Sequence, residues 1–285
     1  MLPIGIGIIG YGYWGPNFAR IFANNPETSL VACCDIQLER LEEIKKNHSN
    51  TKIRRDYNEI LEDPDVSAVI VSTSAASHYD IIKNALLHGK HVLSEKPLTT
   101  NYKQAAELCK IADKVDRVLM VDHIYLFHPA FKKIQSLMED KAIGDLYYIY
   151  SIRTGLGPIR NDVNVLYDLA PHDLSMILEI VGKYPHSVEA NGSTYLQGNI
   201  EDVIFANMFF DGGVTAHIHV SWLDAVKTRR LTIIGSKKMI VFDDTENLER
   251  IKIYDKGVTN ISNPDSYGEF RLLMREGDIY SPKID

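Results

Sequence analysis

The chain is short of several things, and each shortage narrows what it can be. It has only 3 cysteines in 285 residues, Cys33, Cys34 and Cys109, in no ligand-like pattern. That excludes a disulfide framework or a cysteine-based metal centre and points to small core residues in a reducing compartment. No apolar run approaches the roughly 18 residues of a membrane span. The start from Leu2 to Ile9 is apolar but lacks the basic flank of a signal peptide, and its glycines belong to a loop described below. The cytoplasm is therefore the expected compartment. No basic stretch stands out and the formal charge is −7, so a nucleic-acid surface is not expected. Neither repeats nor low-complexity tracts are present. What remains, 45% hydrophobic and 24% charged residues, is an ordinary globular composition long enough for two domains.

The most informative stretch is Gly5-Ile6-Gly7-Ile8-Ile9-Gly10-Tyr11-Gly12-Tyr13-Trp14-Gly15. A short apolar strand runs into a glycine turn, and a helical pattern starts at Pro16. Gly10, Gly12 and Gly15 have the spacing of a dinucleotide loop: one for the tight turn, one for close approach of a pyrophosphate, one for helix–strand packing. Phosphates would face the helix N-terminus, where free N–H groups favour negative charge. A second apolar run, Leu30 to Cys34, ends in Asp35, where a carboxylate can meet the adenosine ribose hydroxyls and repel a 2′-phosphate. NAD is thus expected over NADP, with Tyr13 and Trp14 inside the binding loop.

Up to residue 122 the chain alternates strand-like and helix-like segments. Val66–Val71 reads as a strand buried on both faces, and Ser77 is placed as the cap of the helix that follows, stopped by Gly89. His91–Leu93 leads to Glu95-Lys96-Pro97, Tyr102–Ala112 is helical, and Val118–Val121 is one more strand. Such β-α-β units imply an α/β fold with a doubly wound parallel sheet. From 123 to 285 the pattern changes to a helix near Pro129–Met138, the strand Leu146–Ile152, a helix over Ala170–Val181, and strands Val203–Phe210, Val214–Val220, Arg230–Ile234 and Lys238–Phe242. Hairpin signals between them predict an α+β domain on a large, mostly antiparallel, open sheet. The boundary is set at 122/123, with NAD binding before it and substrate binding and oligomerisation after it. An open sheet face needs a cover, and a partner subunit is expected to supply it.

Lys96 follows a strand end, where ligands bind in open α/β sheets. It is either a cleft ammonium that stabilises charge on a substrate oxygen or a solvated loop lysine. Asp168 and His172, four apart, share a helical face if that stretch is helical. Pro171 is assigned to the first helical turn, which would place His172 at the positive dipole end, neutral and ready to accept a proton. The alternative is an N-cap aspartate with a surface histidine. Asp173 reads as a first-turn acid that steadies the helix. Arg153 and Arg160, beside glycines, are candidates for an anionic substrate group or are plain surface charge. His78 either reaches the cofactor or simply starts a helix. His217 and His219 share a strand face without a third ligand, so no metal is expected. The remaining tyrosines and Trp222 are read as core or interface.

Taken together, these residues resemble the Gfo/Idh/MocA family of NAD(P)-dependent oxidoreductases over nearly the whole chain. The resemblance rests on Gly10-x-Gly12-x-x-Gly15 with Asp35, on Thr73 through His78, on Glu95-Lys96-Pro97, and on Asp168-x-x-x-His172. The Glu-Lys-Pro tripeptide is the most specific of these and favours the functional reading of Lys96. The family implies an N-terminal Rossmann domain and a C-terminal domain whose open sheet often builds dimers or tetramers. It also implies a lysine and a histidine acting on a substrate hydroxyl, with the aspartate assisting. Thr73, His78, Glu95 and Lys96 are then expected at the cofactor, and Arg153, Arg160, Asn164 and His172 at the substrate. The segment Ile159–Asp173 is similar to the sugar and nucleotide-sugar dehydrogenase branch; cyclic polyol dehydrogenases and non-catalytic NAD/sugar sensors are alternatives. Two departures stand out: the chain ends at Asp285, so a shortened C-terminal domain is expected, and Ala75-Ala76 stands where proline is common.

Overall fold

The computed structural model describes residues 3–260 and 272–284. The chain forms two compact units, Met1–Asp122 and His123–Asp285. In the first, strands β1 (Ile4–Ile9), β2 (Thr28–Cys34), β3 (Lys52–Arg54), β4 (Ala68–Val71), β5 (His91–Ser94) and β6 (Leu119–Val121) alternate with helices. The helices are α1 (Gly15–Asn24), α2 (Leu38–Asn47), α3 (Asn58–Leu61), α4 (Ala75–Leu87) and α5 (Tyr102–Lys114). The strands pair in parallel in the order β3-β2-β1-β4-β5-β6. This is the expected doubly wound sheet, with its switch point between β1 and β4.

Successive side chains of a strand point to opposite faces, and here both faces are covered. Ile8, Cys33 and Ile70 pack with Phe18, Ala19 and Ile44 of α1 and α2. Ile9, Cys34, Val69 and Val71 pack on the other face with Ile60, Ile82, Leu86 and Leu108 of α3, α4 and α5. Each fully buried aliphatic side chain contributes about 1.5–3 kcal/mol. Burial pushes the Cys33 and Cys34 thiols up to about 12, the adjacent Asp35 charge adding to the effect on Cys34, so both stay protonated apolar groups. One boundary differs from the sequence reading. Helix α4 starts at Ala75 with Ser74 as its N-cap, and Ser77 sits in the first turn, donating to Thr73 Oγ1 and to the Ser74 carbonyl.

The second unit contains helices α6 (Pro129–Glu139) and α7 (Val165–Val181) and strands β7 (Leu146–Thr154), β8 (Ser187–Ser193), β9 (Val203–Phe209), β10 (Thr215–Ser221), β11 (Thr228–Gly235), β12 (Met239–Asp243) and β13 (Ile251–Tyr254). Short strands β14 (Gly257–Asn260), β15 (Leu272–Arg275) and β16 (Ile279–Tyr280) follow. The main sheet has eight strands in the order β16-β13-β12-β11-β7-β10-β9-β8, antiparallel throughout except for β7 against β10. One face is the core. Ile149, Ile204, Met208, Ile218, Val220, Ile233 and Phe242 pack with Phe131 and Ile134 of α6 and Met176 and Ile177 of α7. The opposite face carries Tyr148 and Phe205, both close to half exposed, with Phe205 stacked on His219 at 4.3 Å.

Helix α7 starts earlier than its proline indicates. Asn164 is the N-cap, its Oδ1 accepting from the Tyr167 amide at 3.2 Å. Pro171 is therefore interior, where it removes one rung of the hydrogen-bond ladder. Asp168, rather than Asp173, is the first-turn acid.

Candidate functional site

In the first unit the glycine turn lies at the C-terminal ends of β1 and β4. Gly10 has φ +95°, and a Cβ there would stand 2.8 Å from the Ser72 backbone and 2.9 Å from Thr73 Cγ2. At Gly15 a Cβ would come within 2.5 Å of the Gly10 carbonyl oxygen, so α1 packs against the loop only because that atom is missing. Gly12 is different: its Cβ position meets nothing within 4 Å. The middle glycine thus leaves open space at the mouth of α1, where a pyrophosphate can approach the backbone. Ser72 Oγ closes the turn by donating to the Gly10 carbonyl at 2.7 Å.

Asp35 has two tasks. Its Oδ2 accepts from the Tyr11 amide at 2.7 Å and its Oδ1 from the Gln37 amide at 2.9 Å. It stitches the glycine turn to the end of β2, and each oxygen keeps a lone pair for a ribose hydroxyl. Tyr13 is 86% exposed and Trp14 42%, the two rings meeting edge to face at 5.6 Å on the loop. Open Gly12, a carboxylate at the end of β2 and surface aromatics on the loop fit an adenine dinucleotide.

The loops after β4 and β5 are joined by His78. Its ring is fully buried, Nδ1 facing the Pro97 carbonyl at 2.9 Å and Nε2 the Thr73 carbonyl at 3.1 Å. The structure therefore brings Gly10, Thr73, His78 and Pro97 together, but both His78 nitrogens point at backbone oxygens rather than outward. This geometry makes the imidazole a brace between the two loops. Glu95 is buried as well, and its Oε2 accepts from the Lys96 amide at 3.1 Å. Lys96 is half-buried at the end of β5.

In the second unit Asp168 and His172 lie one turn apart on α7. Asp168 Oδ2 accepts from Trp222 Nε1 at 3.1 Å and its Oδ1 from Arg160 Nη1 at 3.4 Å, so the carboxylate is oriented from two sides. Trp222, read from the sequence as core or interface, is 2% exposed and still reaches this carboxylate. His172 is the eighth residue of α7, beyond the first turn over which the helix dipole acts, which removes the dipole argument for its neutrality. Its ring instead meets Tyr125 edge to face, centroids 5.2 Å apart.

Three of the expected substrate contacts are differently employed. Arg153 is 4% exposed, and its Nε donates to Asp173 Oδ2 at 2.6 Å. Burial, the largest single influence, would pull this guanidinium down, but Asp173 and Tyr125 together outweigh it and the net shift is upward, so Arg153 is a permanently charged internal group rather than an anion receptor. Asp173, in turn, is buried at 1% as its partner. Asn164 caps α7 and donates Nδ2 to Glu201 Oε2 at 2.9 Å. Arg160 pairs with Asp162 at 2.6 Å and with Asp168, which leaves it an indirect role through that carboxylate. His217 pairs with Asn207 Oδ1 at 2.8 Å, and among the described residues no group of three ligating side chains could hold a metal. Among the described residues no helix is long and apolar enough to cross a membrane.

Comparison with known proteins agrees with both units. Residues 4–123 match the model of the oxidoreductase family with an NAD-binding Rossmann fold, and residues 131–241 match the GFO/IDH/MocA C-terminal domain. Myo-inositol 2-dehydrogenase of Thermotoga maritima is 26% identical over 88% of this chain and 79% of its own length. Trans-1,2-dihydrobenzene-1,2-diol dehydrogenase of Xenopus tropicalis is 32% identical over 82% and 73%. The structure of GenD2 from gentamicin A biosynthesis, in complex with NAD, superposes with a TM-score of 0.81 over 99% of this chain and 81% of that one, at 21% identity.

Proposed function

Because this chain belongs to the Gfo/Idh/MocA family of NAD-binding oxidoreductases, we propose that it is a dehydrogenase acting on a secondary hydroxyl of a sugar or nucleotide sugar. The observation that carries this reading is the pair on α7: His172, one turn from an Asp168 carboxylate that Trp222 and Arg160 hold in place. NAD+, when bound, would supply the hydride acceptor, and NADH the donor in the reverse direction. His172 takes the hydroxyl proton as general base. Lys96 holds the same oxygen and stabilises the negative charge that develops on it. Asp168 keeps the imidazole oriented or contacts the substrate, and the same groups serve ketone reduction. Inositol dehydrogenases among the relatives favour one alternative, a cyclic polyol as substrate. A protein that senses NAD and a sugar without turning it over is the reading from another class.

A homodimer or homotetramer through the face bearing Tyr148, Phe205 and His219 belongs to the same proposal, supported by apolar rings exposed on a sheet face. So does a cytoplasmic setting, supported by three cysteines that are all free thiols.

The test is to follow NADH absorbance with sugars, nucleotide sugars and inositols for the wild type, Lys96→Ala and His172→Gln. Turnover with one class, reduced about 10²- to 10³-fold in each variant, is the expected result. Tight NAD binding without absorbance change on any substrate would establish the sensing alternative.

A further inference from the structure

Beneath α7 runs a chain of polar groups, buried at Arg153 and Asp173 and partly exposed at Asp244 and Arg229, and Tyr125 is its junction. The Tyr125 hydroxyl accepts from Arg153 Nη1 at 3.1 Å and donates its proton to Asp244 Oδ2 at 2.7 Å. Asp244 also accepts from Arg229 Nη1 at 3.2 Å. On the far side, Arg153 holds Asp173 through Nε at 2.6 Å and Nη2 at 3.3 Å, and Ser151 Oγ donates to the same carboxylate at 2.6 Å. Two arginines thus face two aspartates, and the shared phenol satisfies one of each. Asp173 is the residue after His172, and the Tyr125 ring, 5% exposed, is the aromatic wall against the His172 imidazole.

We propose that Tyr125 is a positioning residue for His172: its ring bounds the imidazole, its hydroxyl is clamped between Arg153 and Asp244, and the Arg153–Asp173 pair sets the rotation of the helical turn that carries His172. At the Arg153–Asp173 end, where both side chains are buried, breaking a contact strands a charge away from water, and that end has one low-energy arrangement. Arg229, whose side chain is 38% exposed, can instead turn to solvent. The ring therefore cannot drift without breaking the hydroxyl's hydrogen bonds to Arg153 and Asp244, one member of each ion pair. The phenol does not serve as the proton acceptor itself. Burial raises its pKa, Arg153 opposes this less strongly, and its proton is already given to Asp244. What it contributes passes through the imidazole, where a displacement of about 1 Å costs roughly 10²-fold in rate.

This inference rests on His172 being the general base, and the experiment separates the two. Tyr125→Phe keeps the ring and removes the clamp; Tyr125→Leu removes the ring as well. Both are made in the full chain and compared by turnover with NAD and by ¹⁵N imidazole spectra, with the His172 signals identified by their absence in His172→Gln. Tyr125→Phe should lower kcat about 10-fold and Tyr125→Leu about 10²-fold, with KM for NAD within about twofold of wild type. The His172 signals should shift in both variants, and Tyr125→Phe in a His172→Gln background should cost no further activity. Unchanged His172 signals in a folded Tyr125→Leu protein, or in Tyr125→Phe should the leucine variant not fold, would overturn the proposal. A wild-type chain without turnover would instead count against the dehydrogenase reading, and the spectra would still decide the role of Tyr125.

Discussion

Asp35 offers a test in which two physical accounts of one residue predict different numbers. If the carboxylate only discriminates against a 2′-phosphate, Asp35→Ala should leave the fold alone and let NADP bind as well as NAD. The structure gives it a second task, since its oxygens hold the Tyr11 and Gln37 amides at 2.7 and 2.9 Å. Hydrogen bonds to a charged group contribute about 1.5–3 kcal/mol each, and the exposed Gln37 amide can turn to water, so losing both should cost about 2–3 kcal/mol. For a domain of this size that is a fall of roughly 5–10 °C in melting midpoint. Loosening the Tyr11 amide also loosens the turn between Gly10 and Gly12, so NAD affinity should drop about 10- to 100-fold while NADP gains little. Trp14, 42% exposed on that loop, reports binding by its emission, and a thermal melt reports the anchor. A variant with wild-type melting that binds both cofactors equally would refute the stitching role.

The other glycine-loop predictions separate folding from binding. Gly12→Ala places a methyl where nothing lies within 4 Å, so stability should change by less than about 1 kcal/mol while NAD affinity, measured by titration, falls at least about tenfold. Gly15→Ala drives its methyl to 2.5 Å from the Gly10 carbonyl and should destabilise the first unit by about 1–3 kcal/mol in a denaturant titration. In the second unit, His128 caps α6 through Nδ1 and has a lowered pKa, mainly from burial, with the Asp244 charge partly opposing and Arg250 reinforcing the shift. The unfolded chain therefore binds the proton first, and the contribution of His128, complete above about pH 6.5, is lost as pH falls from there through the folded value. Urea midpoints at several pH values should show this slope, and His128→Asn, which keeps a cap without titrating, should flatten it.

The legible parts of the structure are those whose cause is local. Strands β1, β2 and β4 lie in a sheet covered on both faces and read as apolar runs, and the glycine turn with Asp35 is a matter of spacing. Strand β3 is only three residues long, and β8, Ser-Val-Glu-Ala-Asn-Gly-Ser, is exposed at every position, so neither has a hydrophobic period to detect. At α7, Pro171 points to a start near Ala170, whereas the helix begins after Asn164, a residue type whose side chain suits a cap and here holds the Tyr167 amide. The employment of Arg153 is hidden in the sequence because its partner Asp173 lies on a separate element, the helix α7, and glycines nearby imitate a binding loop. Tyr125 and Trp222 carry no motif at all; only packing shows that one meets His172 and the other Asp168.

The place of β7 at the heart of the second sheet has a consequence during synthesis. Its neighbours β10 and β11 begin only at Thr215 and Thr228, so the aromatic strand Leu146-Tyr147-Tyr148-Ile149-Tyr150 leaves the ribosome with both edges bare. It must wait through α7, β8 and β9 before either edge is paired, and pairing at such separation is slow because the intervening chain has to be ordered first. The first unit, in contrast, has every strand of its sheet in hand once Val121 has been made. Nascent chains stalled before Thr228 therefore combine one finished sheet with a sticky, incompletely paired strand, the species most prone to aggregate.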